Sequence, residues 1–202
     1  VGADELPEEL ESAFRAERVS LQRAEEYCRS ELVDEDLLRQ AAKSRREDLI
    51  VYFALEMFSQ RQQYRQMPKS LQVDIRAFFG NHGNVKIEAR NLLFSSGDTK
   101  AIRQACMEFA GEDFGYIFNE DQLVFHVSVL HQLPPILRCY IGCAGTLYGD
   151  MSGADLVKIH IESGKLSLQE YDDFKMLLPE LKRRVKIDMR RQRVRIFDYN
   201  SS

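Results

Sequence analysis

The sequence has no apolar run approaching the roughly 18 residues that a bilayer crossing needs, so no membrane partner is expected. It also lacks a basic region followed by an apolar one at its start. The opening VGADELPEELE is acidic, which is not the pattern of a secretory signal. Cysteine is scarce and scattered, at Cys28, Cys106, Cys139 and Cys143. That usage suits reduced thiols in a cytoplasm better than a disulfide framework. Catalytic signatures are missing too: there is no G-x-S-x-G, no H-E-x-x-H and no P-loop. No strand–G-x-G–helix unit is present to hold a dinucleotide or the adenosyl group of S-adenosylmethionine. No cofactor is therefore expected in this chain, and its standing as an enzyme is open. Long internal repeats and low-complexity segments are absent as well.

What is there is an ordinary globular composition, 44% hydrophobic and 30% charged over 202 residues. That length supports one substantial core, or a helical subdomain attached to a second unit. The first residue is Val and not Met, so the chain is expected to be a piece of a longer protein. The net charge of -4 hides a gradient. Residues 1–40 carry twelve carboxylates against five arginines, whereas KRRVKIDMRRQRVR (182–195) has eight basic residues and one acid. Such asymmetry says more about partners than the total does.

The first half reads as helix. LPEELESAFRAERVSLQRAEEYCRSEL is rich in Glu, Arg, Ala and Leu, with Leu10, Phe14, Leu21 and Tyr27 as its apolar contacts. In the next segment apolar density rises from Leu49 to Phe58, which predicts a buried helix. Pro68 is placed at a further helix start, with Leu71, Ile75, Phe78 and Phe79 as the inner stripe and Gly80 as the C-cap. FFGNHGN reads as a loop. Two more helices follow, broken at Ser95-Ser96-Gly97, with Asp98 as N-cap of the second.

The second half changes period. GYIFNEDQLVFHV reads as two short strands around Asn119-Glu120-Asp121. In ADLVKIHIESGKLSLQEY, Val157, Ile159 and Ile161 alternate, Ser163-Gly164 turns, and Leu166 and Leu168 resume. RVKIDMRRQRVRIFDY repeats the idea with Val185, Ile187, Met189, Val194 and Ile196. The expected fold is α+β, a helical N-terminal half followed by a mixed α/β C-terminal half with β-hairpins. Its parts are an acidic helical segment (1–43), a helical part of the core (44–112) and an α/β part (113–202), with hairpins at about 155–170 and 183–199.

LPPILRCYIGCAG (133–145) sets two cysteines four residues apart. With Pro134-Pro135 in a first turn, Ile136, Leu137, Tyr140, Ile141, Ala144, Leu147 and Tyr148 form one wide apolar face. Gly142 and Ala144 suit close approach of another element. Structural zinc needs about four ligands, usually with a second close pair, and His126, His131 and His160 supply none. A redox pair normally has two intervening residues, not three. Cys139 and Cys143 are therefore assigned to packing, and no metal site is expected.

Alternation sends Lys158 and His160 to the strand face opposite Val157, Ile159 and Ile161. They could bind phosphate, act in acid–base chemistry with Asp155 or Glu162, or simply be solvated. The basic ribbon is more directed. Lys182, Arg183, Arg184, Lys186, Arg190, Arg191, Arg193 and Arg195 crowd one hairpin. Such a stripe can follow a nucleic-acid backbone, because each neutralised phosphate releases counterions. It can equally pair with an acidic surface, such as that of the N-terminal helices. The carboxylates of YDDF (171–174) and EDLIVYF (47–53) yield no general acid and base.

With these segments in view, the chain resembles the C-terminal region of a bacterial family, the DNA phosphorothioation-associated proteins classed as methyltransferases. The similar stretches are RREDLIVYFAL, MPKSLQVDIRAFFG, LLFSSGD, LPPILRCYIGCAG, GADLVKIHIESGKLS and VKIDMRRQRVRIFDY, over about residues 44–202. Asp155 stands where relatives often have Asn, and LSLQEYDDF replaces a more aromatic stretch. The resemblance implies a protein of sulfur-modified-DNA systems, which act in restriction-like defence. Members carry an S-adenosylmethionine-binding domain before this region, so that cofactor would belong to a neighbouring domain. The expectation is an accessory domain facing DNA or RNA, alongside other proteins of such a system, with oligomers open. The ribbon would contact phosphate, and Arg138, Lys158, His160 and Lys165 would add secondary contacts. An enzyme with a Lys158–His160 pocket and a protein-interaction domain with a basic hairpin are the alternatives.

Overall fold

The computed structural model describes residues 8–28, 30, 34–59, 67–111, 114–149 and 151–199. The chain divides into two compact units, Val1–Arg46 and Glu47–Ser202.

The first unit is helical. It contains α1 (Glu8–Ala16), α2 (Leu21–Tyr27) and the beginning of α3 (Glu35–Ser59). Ser20 caps α2 by accepting from the Arg23 amide at 3.2 Å. Asp34 caps α3 by accepting from the amides of Asp36 and Leu37. None of its described side chains is buried, and Leu10 and Tyr27 are exposed, against the expectation that they make apolar contacts. Capping and the pairs of Arg39 with Glu35 and Asp36 are the visible local supports.

In the second unit, the rest of α3 is followed by α4 (Lys69–Phe79), α5 (His82–Ser95) and α6 (Thr99–Phe109). Pro68 precedes α4 and Gly80, at φ 74°, ends it. Asp98 caps α6 through the Lys100 amide. FFGNHGN is only partly a loop. Asn81 accepts from the Asn84 amide at 3.0 Å, so the helix starts at His82, ahead of the apolar stripe that marks its interior. Next come β1 (Tyr116–Phe118), β2 (Gln122–His126), a 3₁₀-helix (Val127–Gln132) and α7 (Pro135–Tyr148). β3 (Leu156–His160), β4 (Lys165–Tyr171), β5 (Leu181–Asp188) and β6 (Arg193–Asp198) complete the chain order.

All six strands form one antiparallel meander in the order β1-β2-β3-β4-β5-β6. Its register aligns Leu123, Ile159, Leu166, Ile187 and Val194 in one row across the sheet, and Phe125, Val157, Leu168 and Val185 in another. These rows share one face and pack on α6 and α7 through Ile102, Cys106, Leu137, Tyr140, Ile141 and Ala144. The fold is therefore α+β, with most helices before the sheet.

α7 answers the cysteine question. Its Leu137, Tyr140, Ile141 and Ala144 face the sheet, while Cys139 and Cys143 belong to a second core with Leu49, Phe53, Ile75, Phe79 and Val85 of α3, α4 and α5. A helix buried on two sides needs small residues on one of them. A Cβ on Gly142 would lie 2.5 Å from Leu55 Cδ1, too close without a shift. Cys143 shares a hydrogen bond with Cys139 and is buried, and both effects push its thiol pKa up. All four cysteines are free, and only Cys28 is exposed. Among the described residues, no group of three or more His, Cys, Asp or Glu could hold a metal ion, and no helix is long and apolar enough to cross a membrane.

Candidate functional site

The sheet face turned away from α6 and α7 is polar over β3 to β6, because the period-2 pattern that buries Val, Ile and Leu sends their neighbours to the other side. Tyr116, Val124 and Phe118 make its β1–β2 end apolar. Two rows can be read from the register. One runs Tyr116, Val124, Lys158, Ser167, Lys186, Arg195. The other runs Phe118, Gln122, His160, Lys165, Asp188, Arg193. On β3 to β6 they enclose a recess of about 330 Å³, lined by His160, Ser163, Lys165, Ser167, Lys186, Asp188, Arg191, Arg193, Arg195 and Phe197.

Five cations, Lys165, Lys186, Arg191, Arg193 and Arg195, meet one carboxylate in this recess. Among the described residues, none of the five forms an ion pair. Asp188 Oδ1 accepts from the Arg191 amide at 3.0 Å, which fixes the turn between β5 and β6. At the floor, His160 Nε2 lies 3.0 Å from Ser167 Oγ. Burial holds the His160 pKa below its ordinary value, helped by Lys158, Lys186 and Lys165 and opposed by Asp121. The neighbouring Lys158 is lowered by burial first, then by Arg184 and Lys186. Like charges on one surface repel, and an anion bound there would relieve that repulsion.

Two phenylalanine rings on this face lie beside cations, and Tyr116 shares the face by register. Lys158 Nζ sits 5.0 Å from the Phe118 ring centre, and Lys186 Nζ sits 5.6 Å from that of Phe197. Both are within cation–π range. At one end the β4–β5 connection folds back, placing Phe174 against His126 and Tyr171. Asp172 closes that connection by accepting from the amides of Asp173 and Glu180, which lowers its pKa.

The sequence-predicted residues separate. His160, Lys165, Lys186, Arg191, Arg193 and Arg195 come together in the recess, and Lys158 and Arg184 lie on the same face by register. Four others do not join them. Lys182 pairs with Glu170 at 3.3 Å, and Arg183 with Asp198 at 2.6 Å. Arg190 reaches the other way, donating to the Glu162 carbonyl and to Thr99 Oγ1 at the start of α6. Arg138 is on α7, behind the sheet, where it pairs with Asp48 and lies 3.7 Å from Glu47. Two carboxylates of EDLIVYF hold it there, apart from the recess.

The carboxylates named for the acid–base alternative have partners of their own. Asp155 Oδ2 accepts from the Tyr171 amide at 2.8 Å, and Glu162 pairs with Arg103. The residues that sequence reasoning passed over are Ser163, Ser167, Asp188, Phe197 and Phe118. Alternation could have found three of them, since Ser167 lies between Lys165 and Gln169, Asp188 follows Lys186, and Phe197 follows Arg195 on one strand face.

Comparison with known proteins finds no matching family model, no matching curated protein and no matching solved structure. What fold and site define together is a class by architecture: an α+β unit whose antiparallel sheet is apolar on one face and cationic on the other.

Proposed function

We propose that the cationic sheet face binds the phosphate backbone of a nucleic acid. On this reading the chain is an accessory domain of a bacterial DNA-modification or defence protein linked to phosphorothioation, working in the cytoplasm beside other proteins of that system. The observation that carries it is the recess, whose five cations lack ion-pair partners among the described residues while Lys182, Arg183 and Arg138 are paired. Unpaired cations gathered on one surface are disfavoured in isolation, and a phosphate backbone is a partner that would favour them. The sequence resemblance over 44–202 supplies the setting. Any methyl transfer belongs to a neighbouring domain.

Binding of the chain to DNA and RNA across a salt series tests it. Each phosphate contact contributes about 0.7–0.9 to the slope of log K against log salt. The triple variant Lys186→Ala, Arg193→Ala, Arg195→Ala is expected to lower affinity and reduce the slope by about 2. The control Lys182→Ala, Arg183→Ala is expected to change neither by much. Absence of binding at low salt by the unaltered chain would overturn the proposal.

A further inference from the structure

The rings on the basic face bear on the form of nucleic acid, a question that rests on the phosphate-binding reading above. Phosphates are common to duplex and single strands, so cations alone do not discriminate. Aromatic rings do. A base exposes its face to a protein ring only when it is unstacked, and such stacking is the general means by which proteins hold single strands.

Phe118 and Phe197 are 44% and 38% exposed, and each sits beside a lysine. The lysine contact returns only a little stability to such an exposed ring. Each lysine lies over its ring here, and a bound strand would draw the ammonium to a phosphate while a base took its place on the ring face. The two rings lie on the edge strands β1 and β6. Five strand spacings of about 4.8 Å separate them, roughly 24 Å across the sheet. Between them lie Lys158, His160, Lys165, Lys186, Arg193 and Arg195. Tyr116 adds a third exposed ring, one strand-face position from Phe118 on β1.

The borders of the face disfavour a duplex. Groove reading requires a protruding element to enter the groove. The β4–β5 connection carries Asp172, Asp173 and Glu180 against Lys175 alone, so it would repel phosphates. The β5–β6 turn directs Arg190 to the opposite side of the sheet. What remains is a charged track with a ring at each end.

We propose that this face takes single-stranded nucleic acid, with phosphates over the Lys165–Lys186–Arg193–Arg195 recess and bases stacked on Phe118 and Phe197. The test compares one mixed-sequence DNA strand, of a length within the about 4–16 nucleotides of single-strand sites, with the duplex of the same sequence at the same salt. Fluorescence anisotropy reads the affinity. The single strand is expected to bind at least about tenfold more tightly.

Phe118→Leu and Phe197→Leu should each weaken single-strand binding about 5- to 100-fold, with the salt slope and duplex affinity unchanged. Phe118→Tyr and Phe197→Tyr, which keep a ring, should retain it. A thermal melt of each variant confirms folding. A duplex bound as tightly as the strand, or folded Leu variants with full single-strand affinity, would overturn this inference and leave phosphate binding standing. No binding of either form at low salt would overturn both.

Discussion

Replacing Arg138 by alanine separates a residue that supports the fold from one that meets a ligand. The Arg138 side chain is 13% exposed and donates to Asp48, with Glu47 Oε2 3.7 Å away. A hydrogen bond between charged groups is worth about 1.5–3 kcal/mol. The longer contact to Glu47 adds little, since pairs near the surface contribute roughly 0–1 kcal/mol. Removing an arginine from a fully buried pair costs about 3–5 kcal/mol. Here the carboxylates are 30% and 46% exposed and regain water, so the lower range applies. Loss of the packed arginine stem adds to the cost. The Nε of Arg138 has no acceptor among the described residues, which offsets part of it.

The net expectation is destabilisation by about 2 kcal/mol, or about 4–8 °C in Tm for a unit of this size. Urea denaturation of the single variants Arg138→Ala and Asp48→Ala and of the double variant measures it. The pair should show a coupling energy of about 1 kcal/mol. Nucleic-acid affinity of the folded Arg138→Ala chain should change less than twofold. A variant of full stability that loses binding as the recess variants do would refute the reasoning and return Arg138 to the interface.

Two further outcomes follow from burial. The depressed pKa of His160 means that the unfolded chain takes up a proton at higher pH than the folded one, whose imidazole is half-buried near Lys158, Lys165 and Lys186 with Asp121 opposing. Stability is then full above the ordinary histidine value of about 6.5 and falls as pH drops below it. His160→Gln should flatten that part of the pH profile in urea titrations, leaving the share of His82, which is lowered by burial and Lys86. Thiol titration should find Cys28 reacting fast in the native protein, with Cys106, Cys139 and Cys143 reacting only on unfolding. Burial pushes the Cys106 thiol up to about 12, which adds chemical protection to steric protection.

The strands were legible because their period is short and local. Val157, Ile159, Leu166 and Leu168 alternate around a glycine at φ 64°, and nothing distant is needed to read that hairpin. The start of α7 was equally local, since Pro134 and Pro135 fix its first turn. The division of the basic ribbon was not. Arg183 and Lys186 stand three residues apart, and strand parity sends them to opposite faces. The turn between β5 and β6 decides where Arg190 goes, and its partners Thr99 and Glu162 are far away in sequence. Arg138 and Asp48 are 90 positions apart, so no local pattern pairs them. The recess itself needs β4 between β3 and β5, which places Lys165 and Ser167 beside Lys186, and such pairing is a property of the sheet.

The phosphate-binding proposal assigns nucleic acid to one face of the sheet only. The direct measurement is a map of backbone and side-chain NMR shifts as a single DNA strand is titrated into the chain. The predicted result is a set of shifts centred on Lys165, Ser167, Lys186, Arg193, Arg195 and Phe197, with Arg138, Lys182 and Arg190 largely unmoved. Shifts centred on α7 or on the β4–β5 connection, with the recess silent, would contradict it.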